Sequence, residues 1–302
     1  MRVFVTGGNG FLGTAVVRHL QDAGYDTFAP RSVEYDLREK YEAGAAVKAS
    51  RAGVIVHLAA AVGGIGANQA HPGRYVYENA LMGLNLLEAA RSAAAKVVVI
   101  GTACEYPEHA PLPLREETLW DGYPAPATAP YAIAKRLLLV QGQAYREEYG
   151  SNVIHLIPGN LYGPGDNFGP ETSHVLPALI RRFSAAAKAD APGVTCWGAG
   201  LTTREFLYVD DAARAIVLAM VGYDSPEPVN IGTGVETSLF GLVDKIVALY
   251  GYRGEVTWDA SKPHGTSRRV LDTSRAEAFG FRAEVSLDEG LRQTVSWYEA
   301  NQ

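Results

Sequence analysis

The chain has 302 residues, 47% hydrophobic and 20% charged, with a formal net charge of −6 and a pI of about 5.7. That length and apolar share suit one large or two small globular domains with a proper core, and the acidic balance argues against nucleic acid or an anionic membrane as partner. Two cysteines, Cys104 and Cys196, are too few for a disulfide framework and fit a reducing cytoplasm; no signal peptide is expected before the strand-like Val3-Phe4-Val5, and no apolar run approaches the ~20 residues of a membrane span.

Strand Arg2 to Thr6 runs directly into Gly7-Gly8-Asn9-Gly10-Phe11-Leu12-Gly13, after which Ala15, Val16 and Leu20 repeat at helical spacing. Glycines at 7, 10 and 13 permit a tight turn, let main-chain N–H groups approach a pyrophosphate and allow close helix-on-strand packing. The helix N-terminus adds a site for anionic phosphate. Strand, glycine turn and helix in this order point to a dinucleotide site rather than a merely structural turn.

A second strand, Asp26 to Ala29, ends at Pro30-Arg31. An NAD-selective fold places an acidic residue there for the adenosine ribose; an Arg can pair instead with a 2′-phosphate, which favours NADP. The bland alternative is a solvated Arg beside a turn. Asp36-Leu37 follows and is expected to reach the adenine edge. The buried-strand run Val54 to Leu58 ends in Ala59-Ala60-Ala61, small residues that leave room for a flat cofactor. Gly63 to Asn68 reads as a loop, and Tyr75 to Arg91 as a helix whose apolar face is interrupted by Asn79 and Asn85.

Lys96 to Ile100 is the next buried strand, leading into Gly101-Thr102-Ala103-Cys104-Glu105-Tyr106-Pro107. Ligands bind outside the carboxyl ends of strands in a doubly wound sheet, so the Thr102 hydroxyl and Cys104 thiol are candidates for chemistry. A Cys beside a buried strand is, taken alone, more often a small core residue. Thr128 and Pro130 suit the start of a helix that carries Tyr131 and Lys135 four residues apart, hence on one face. A cation held there is expected to lower the phenol's pKa from its reference near ~10 and make it a usable proton donor or acceptor.

Val153 to Pro158 is another strand, followed by Gly159-Asn160-Leu161-Tyr162-Gly163-Pro164-Gly165. The alternation of strand and helix predicts a doubly wound parallel α/β sheet of Rossmann-like form, covered on both faces. Beyond Asp166 the rhythm changes. Ser173 to Ala187 reads as a helix capped by Ser173, Thr195 to Trp197 and Arg204 to Val209 as short strands, and Asp211 as the cap of a helix to Val221. Val229 to Ile231 is a strand, with helices Leu239 to Tyr250 and Leu287 to Asn301 closing the chain. The expected division is a dinucleotide-binding domain over 1–165, rejoined by 206–232, and a smaller interleaved α/β substrate lobe over 166–205 and 233–302.

The glycine turn, Thr102, and Tyr131 with Lys135 occur in the order that resembles the extended short-chain dehydrogenase/reductase superfamily. Within it the chain resembles the GDP-L-fucose synthase family along nearly its whole length. The specific segments are Ala60 to Asn68, Pro130 to Lys135, Asn160 to Pro164, Ser173-His174-Val175 with Pro177 to Phe183, and Trp197-Gly198 followed by Arg204-Glu205-Phe206.

The resemblance implies an NADP(H)-dependent enzyme acting on a GDP-4-keto-6-deoxy-sugar. Cys104 and His174 fall on the family's base and acid for inversion at C3 and C5, protons that the 4-keto group acidifies. Tyr131 falls on the proton donor to the C4 oxygen, Lys135 on the group that tunes it and holds the nicotinamide ribose, and Thr102 on a hydrogen-bond donor to substrate. Gly7, Gly10, Phe11, Leu12, Gly13, Arg31, Asp36, Leu37, Leu58, Ala59, Ala60, Pro158, Asn160, Leu161 and His174 join Tyr131 and Lys135 as cofactor-binding positions. Asn160, Val175, Leu179, Arg182, Trp197, Arg204 and His264 are the substrate-binding positions. A homodimer is implied through the helices around Tyr75 to Arg91 and Tyr131 to Glu148, and no His/Cys/carboxylate cluster has metal spacing.

Three positions depart from the family: Thr102 where it has Ser, Asn9 where it has Arg, and His264 within Lys262-Pro263-His264-Gly265 where it has Asp. Imidazole in place of an anionic acceptor changes which hydroxyl or phosphate can be held. A 4,6-dehydratase is disfavoured because its Asp-Glu pair is replaced by Ala103-Cys104, and a simple 4-epimerase needs no second acid/base pair. The alternatives left are an epimerase or reductase of a related GDP-4-keto sugar and a cofactor-sensing regulator.

Overall fold

The computed structural model describes residues 1–302 except 94, 171, 199 and 262–266. Its first half alternates strand and helix: β1 (Arg2–Thr6), α1 (Phe11–Asp22), β2 (Asp26–Phe28), α2 (Lys40–Ser50), β3 (Val54–His57), α3 (Ile65–Ala70), α4 (Pro72–Ala93), β4 (Lys96–Ile100), α5 (Ala129–Tyr149) and β5 (Val153–Pro158). The remainder runs β6 (Asn160–Tyr162), α6 (Val175–Lys188), β7 (Gly193–Trp197), β8 (Thr203–Arg204), β9 (Phe206–Tyr208), α7 (Val209–Gly222), β10 (Val229–Ile231), β11 (Thr237–Ser238), α8 (Leu239–Tyr250), β12 (Glu255–Asp259), α9 (Ser274–Ala278) and α10 (Leu287–Ala300).

Six strands form one parallel sheet in the order β10-β5-β4-β3-β1-β2. Its strands are short runs of Val and Ile buried on both faces, as parallel strands covered by helices must be. One apolar cluster joins β1, β3 and β4 to α1 and α7 on one side; another joins β1, β3 and β4 to α2, α4 and α5 on the other. The direction of winding reverses between β1 and β3, so the loops after these two strands flank the crevice where a doubly wound fold binds ligands.

A second core is built by α6, α8 and α10 with β7, β9 and β12, around Phe183, Ile180, Leu242 and Leu291. Strand β7 pairs in parallel with β12, while β6 pairs with β9, so the chain crosses between the two cores more than once. Strand β12 and helix α2 lie outside the elements expected from sequence. The expected strand 204–209 divides at Glu205, and the expected loop at 63–68 winds into α3.

Two expected caps are replaced. His174, not Ser173, occupies the N-cap of α6. Helix α7 starts at Val209 with Tyr208 as N-cap, so Asp211 lies inside its first turn. There its buried carboxylate accepts from the amides of Glu284 and Val285 at 2.9–3.1 Å and ties the C-terminal segment to the sheet.

Glu205 does the same for the loops nearest the crevice. It is fully buried and accepts from the amides of Thr233, Gly234 (2.9 Å) and Leu271 (2.7 Å). A Cβ on Gly232 would fall 2.0 Å from its Oε1, so glycine there makes room for the carboxylate. Replacing Glu205 by Ala strands buried amides, each worth roughly 1–3 kcal/mol when left unpaired. We expect urea denaturation of Glu205→Ala to show a loss of at least about 3 kcal/mol; a loss below 1 kcal/mol would mean the loops hold by other contacts.

Candidate active site

The glycine turn after β1 folds back onto itself and onto the end of β3. Gly7 has φ +67°, a left-handed conformation that favours glycine, and a Cβ there would sit 2.9 Å from the main chain of Ala59. A Cβ on Gly13 would fall 2.1 Å from the Gly7 carbonyl oxygen. The resulting groove has no side chain over it and leads to the N-terminus of α1, a cradle suited to a pyrophosphate. Phe11, Leu12, Leu58 and Leu161 pack against the core beneath the groove.

The loop that follows β2 differs from expectation in two respects. Both oxygens of Asp36 accept from the Arg38 guanidinium (2.6–3.0 Å), which holds the carboxyl below its usual pKa. That carboxylate is therefore already engaged with Arg38, and an adenine edge would share it with the guanidinium. Leu37 is buried among the residues of α2 and α4, leaving only its main chain for a ligand. Arg31 is exposed at the end of the β2 loop, its amide donating to Glu34 at 2.8 Å. Asn79 and Asn85, the polar interruptions in α4, explain how these loops are held: Asn79 exchanges hydrogen bonds with the main chain of Ala61, and Asn85 donates to the carbonyls of Leu37 and Arg38. A buried polar side chain in an apolar face was the available signal.

At the end of β4 the chain makes a 3-10 turn over Ala103–Glu105. Thr102 caps it, accepting from the Cys104 amide at 3.2 Å, and Glu105 reaches back to accept from the Thr102 amide at 2.7 Å. Helix α5 runs over this turn. Lys135 is buried, with Nζ donating to the Ile100 carbonyl at 2.8 Å, and Arg136 Nε donates to the Glu105 carbonyl at 2.6 Å. Tyr131 projects toward Thr102, whose hydroxyl interacts with the phenol, and toward Tyr75, whose ring meets it edge-on at 6.5 Å. Thr102, Cys104, Tyr131 and Lys135 thus converge, as their spacing in the chain suggested.

The electrostatics correct one expectation. Burial lifts the Tyr131 phenol well above the ordinary tyrosine value, Cys104, Glu105 and Tyr75 add to this, and only Thr102 opposes it. The net shift of the phenol is upward despite the nearby lysine; burial pulls Lys135 itself down to about 8, against the opposing pull of Glu105. Tyr131 is therefore a protonated phenol at neutral pH, suited to donate a proton. Cys104 moves the other way. Burial opposes its ionisation, but the Arg269 guanidinium, 3.4 Å from Sγ, together with hydrogen bonds from Thr102, Arg269 and Thr128, outweighs burial and holds the thiol below its usual value. Thr128 stands at the N-cap of α5 but makes no cap hydrogen bond; its hydroxyl serves the thiol instead.

Arg204 belongs to the same cationic group: burial first, then the neighbouring Arg269 charge, lowers it to about 10, with Cys104 opposing. Farther along, Arg182 lies over the exposed Trp197 ring at 6.0 Å and donates to the Thr195 carbonyl at 2.5 Å. Val175 is exposed at the start of α6, whereas Leu179 is buried in the second core and has no side-chain surface for a ligand. Asn160 donates to the Glu205 carbonyl at 2.8 Å, beside Pro158 at the end of β5. His174 is exposed at the start of α6, where desolvation by the surrounding protein lowers its pKa. It makes no hydrogen bond or ion pair with the Cys104 group among the described residues, and the segment before it docks on Gly64. His264 lies outside the described residues. Arg269 is the main residue that sequence reasoning missed, since 165 positions separate it from Cys104. Among the described residues no group of three or more His, Cys, Asp or Glu side chains could hold a metal ion, and no helix is long and apolar enough to cross a membrane.

The thiolate is the reactive form and is present above the thiol's pKa. Removing the Arg269 charge leaves burial unopposed and moves that pKa upward, so Arg269→Leu should alkylate more slowly at Cys104 at fixed neutral pH, by about tenfold for each unit moved. Iodoacetamide labelling followed by mass spectrometry across pH 6–10 reads this directly, and an unmoved midpoint would show that Arg269 does not set the thiol.

The pattern defining the "NAD dependent epimerase/dehydratase family" matches residues 3–232. "Probable GDP-L-fucose synthase 1" of Oryza sativa subsp. japonica is 40% identical over 303 residues, spanning 99% of this chain and 92% of that protein. Among solved structures, a GDP-6-OMe-4-keto-L-xylo-heptose reductase from C. jejuni superposes with a TM-score of 0.94 at 27% identity, covering 100% of this chain and 98% of that one. A GDP-L-fucose synthetase from Naegleria fowleri, solved bound to NADP, gives a TM-score of 0.90 at 27% identity over 99% of this chain and 94% of that one. The chain belongs to the NAD dependent epimerase/dehydratase family, in the branch that holds the GDP-L-fucose synthases.

Proposed function

We propose that the protein is an NADPH-dependent epimerase/reductase that converts a GDP-4-keto-6-deoxy-hexose into a GDP-6-deoxy-sugar such as GDP-L-fucose. The observation that carries this reading is the Cys104 thiol, flanked by Arg269 and set beside Thr102 and Tyr131 in one cleft. A reductase alone needs the phenol and the lysine; a second, separately activated proton acceptor suits removal of protons next to a carbonyl.

The groove between Gly7, Gly13 and Ala59 would hold the cofactor pyrophosphate, and Arg31 would pair with its 2′-phosphate. When bound, the reduced nicotinamide supplies hydride to C4. Cys104, as thiolate, takes the proton from a carbon next to the C4 carbonyl, and His174, at the start of α6, returns one from the opposite side. Thr102 holds the C4 oxygen and Tyr131 gives it a proton. Lys135 fixes the floor of the site through Ile100. Arg204 and Arg269 would meet the nucleotide diphosphate, with Arg182 and Trp197 farther along.

In this reading the dinucleotide-binding domain is 1–165 with 206–232, and the substrate lobe is 166–205 with 233–302. The two free cysteines accord with a cytoplasmic enzyme. Leu137, Val140 and Ala144, at i, i+3 and i+7 on α5, expose an apolar stripe, and Tyr77 is exposed on the adjoining α4. We assign this surface to a homodimer contact.

A second reading, in which the substrate is a related GDP-4-keto sugar with another stereochemical outcome, is favoured by the likeness to the C. jejuni 4-keto-heptose reductase and by His264 in the family's Asp position.

The protein should consume NADPH with GDP-4-keto-6-deoxy-mannose, and product NMR distinguishes inversion at both centres from reduction alone. Cys104→Ser should lose solvent deuterium exchange at C3 and C5 by at least about 100-fold, in line with loss of a general base, and His174→Asn should release non-inverted or singly inverted product. Exchange at the parent rate in Cys104→Ser would remove the thiol from the mechanism. For assembly, Val140→Glu puts a charge in the stripe, and light scattering should report half the parent mass; an unchanged mass would place any contact elsewhere.

A further inference from the structure

Beneath the catalytic turn lies a buried carboxylate–imidazole pair that the reaction above leaves unused. Glu105 is 0% exposed and His155, on β5, 2% exposed. His155 Nε2 lies 3.2 Å from both carboxylate oxygens of Glu105. Burying such a pair is costly unless each member is well partnered, so its presence under a reactive centre calls for a reason.

The surroundings are shaped to admit it. Strand β5 lies beside β4 with His155 level with Val99, which sets the imidazole below the peptide that ends β4. A Cβ on Gly101 would fall 2.2 Å from Glu105 Oε1 and 2.3 Å from His155 Nε2, so the pair fills the space a side chain at 101 would take. Glu105 Oε1 accepts from the Thr102 amide, which closes the turn carrying Thr102 and Cys104. Lys135 Nζ is bonded to the carbonyl of Ile100, one residue before Gly101, and has no carboxylate partner among its hydrogen bonds.

We propose that Glu105, steadied by His155, is a positioning residue for the reductive half of the reaction: its carboxylate fixes the turn that presents Thr102 and sets a buried acid beside the Ile100–Gly101 main chain to which Lys135 is bonded. This rests on the reading of the site as a reductase. The titratable groups that interact with Lys135 are Glu105 from the turn and His57 from β3. Among them Glu105 raises the lysine against burial, and the lysine in turn depresses His57. Arg136 donates to the Glu105 main-chain carbonyl, so α5 holds the backbone of this residue while β5 and its own turn hold the carboxylate.

Glu105→Gln separates the two roles, because the amide oxygen can still accept from Thr102 while the charge is gone. The Lys135 amine, followed by NMR of 13Cε-lysine in the ligand-free protein, should titrate near 8 in the parent. In Glu105→Gln it should titrate lower, by about half a unit or more, since burial is then unopposed. The alkaline limb of NADPH-dependent turnover should move to lower pH with it, with KM for the sugar within about twofold of the parent. His155→Leu, which takes a buried hydrogen-bond partner from the Glu105 carboxylate, should shift Lys135 in the same direction, and His155→Gln, which keeps a donor, should restore parent behaviour. Lys135 titrating at the parent pH in either Glu105→Gln or His155→Leu overturns the proposal, and if Glu105→Gln does not fold, His155→Leu decides. The NMR measurement uses no sugar, so a parent protein inactive toward GDP-4-keto-6-deoxy-mannose refutes the proposed substrate and leaves this inference to the lysine titration.

Discussion

The bond from Lys135 Nζ to the Ile100 carbonyl, made in the absence of bulk water, is the constraint on which the reactive centre depends. It joins α5 to the carboxyl end of β4, and the neighbouring Arg136 repeats the connection farther along, at Glu105. A helix pinned at two successive residues cannot slide along the sheet edge. Tyr131, one turn before Lys135, is consequently set over Thr102, while the turn beneath is closed by its own capping box. The phenol, hydroxyl and thiol stand together because main-chain carbonyls hold Lys135 and Arg136 of α5.

The same burial sorts the acids from the bases. Tyr131 and Cys104 are near neighbours, and both lose solvent, yet their pKa values move in opposite directions. The difference is Arg269, whose guanidinium faces the thiol; for the phenol, the groups that add to burial are acidic. Two groups driven apart by environment can perform opposite proton transfers at one pH, which is what a sequence of enolisation and carbonyl reduction requires. The positive charge near the thiol comes from Arg269 and Arg204, delivered by segments far from it in sequence.

Polar residues in otherwise apolar elements do most of the loop fixing. Asn79 and Asn85 hold the strand-end loops from α4, Glu205 gathers the amides of 233, 234 and 271, and Asp211 gathers those of 284 and 285. Each is buried or half-buried and bonded to main chain, and Asp211 also accepts from the Arg214 guanidinium at 3.0 Å. Such contacts specify one loop path, since a different path would leave the same polar atoms unpaired.

The parallel sheet, its glycine turn and the order of Thr102, Tyr131 and Lys135 were determined by local sequence: Val and Ile runs, the left-handed position of Gly7 and a four-residue helical spacing are all written within a few residues of one another. The resemblance carried Cys104, His174, Arg182, Trp197 and Arg204 into consideration. What only the tertiary structure decided is how these groups are charged and which of them are open. It showed that Asp36 is taken by Arg38, that Leu179 and the side chain of Leu37 are core, and that Tyr131 is raised rather than lowered. It also brought Arg269 to Cys104 and His155 to Glu105, across 165 and 50 residues of chain. The physical reason is common to all of these: spacing along a helix or strand fixes which way a side chain faces, whereas its ionisation depends on burial and on charges delivered by other elements, and those are set when distant segments pack.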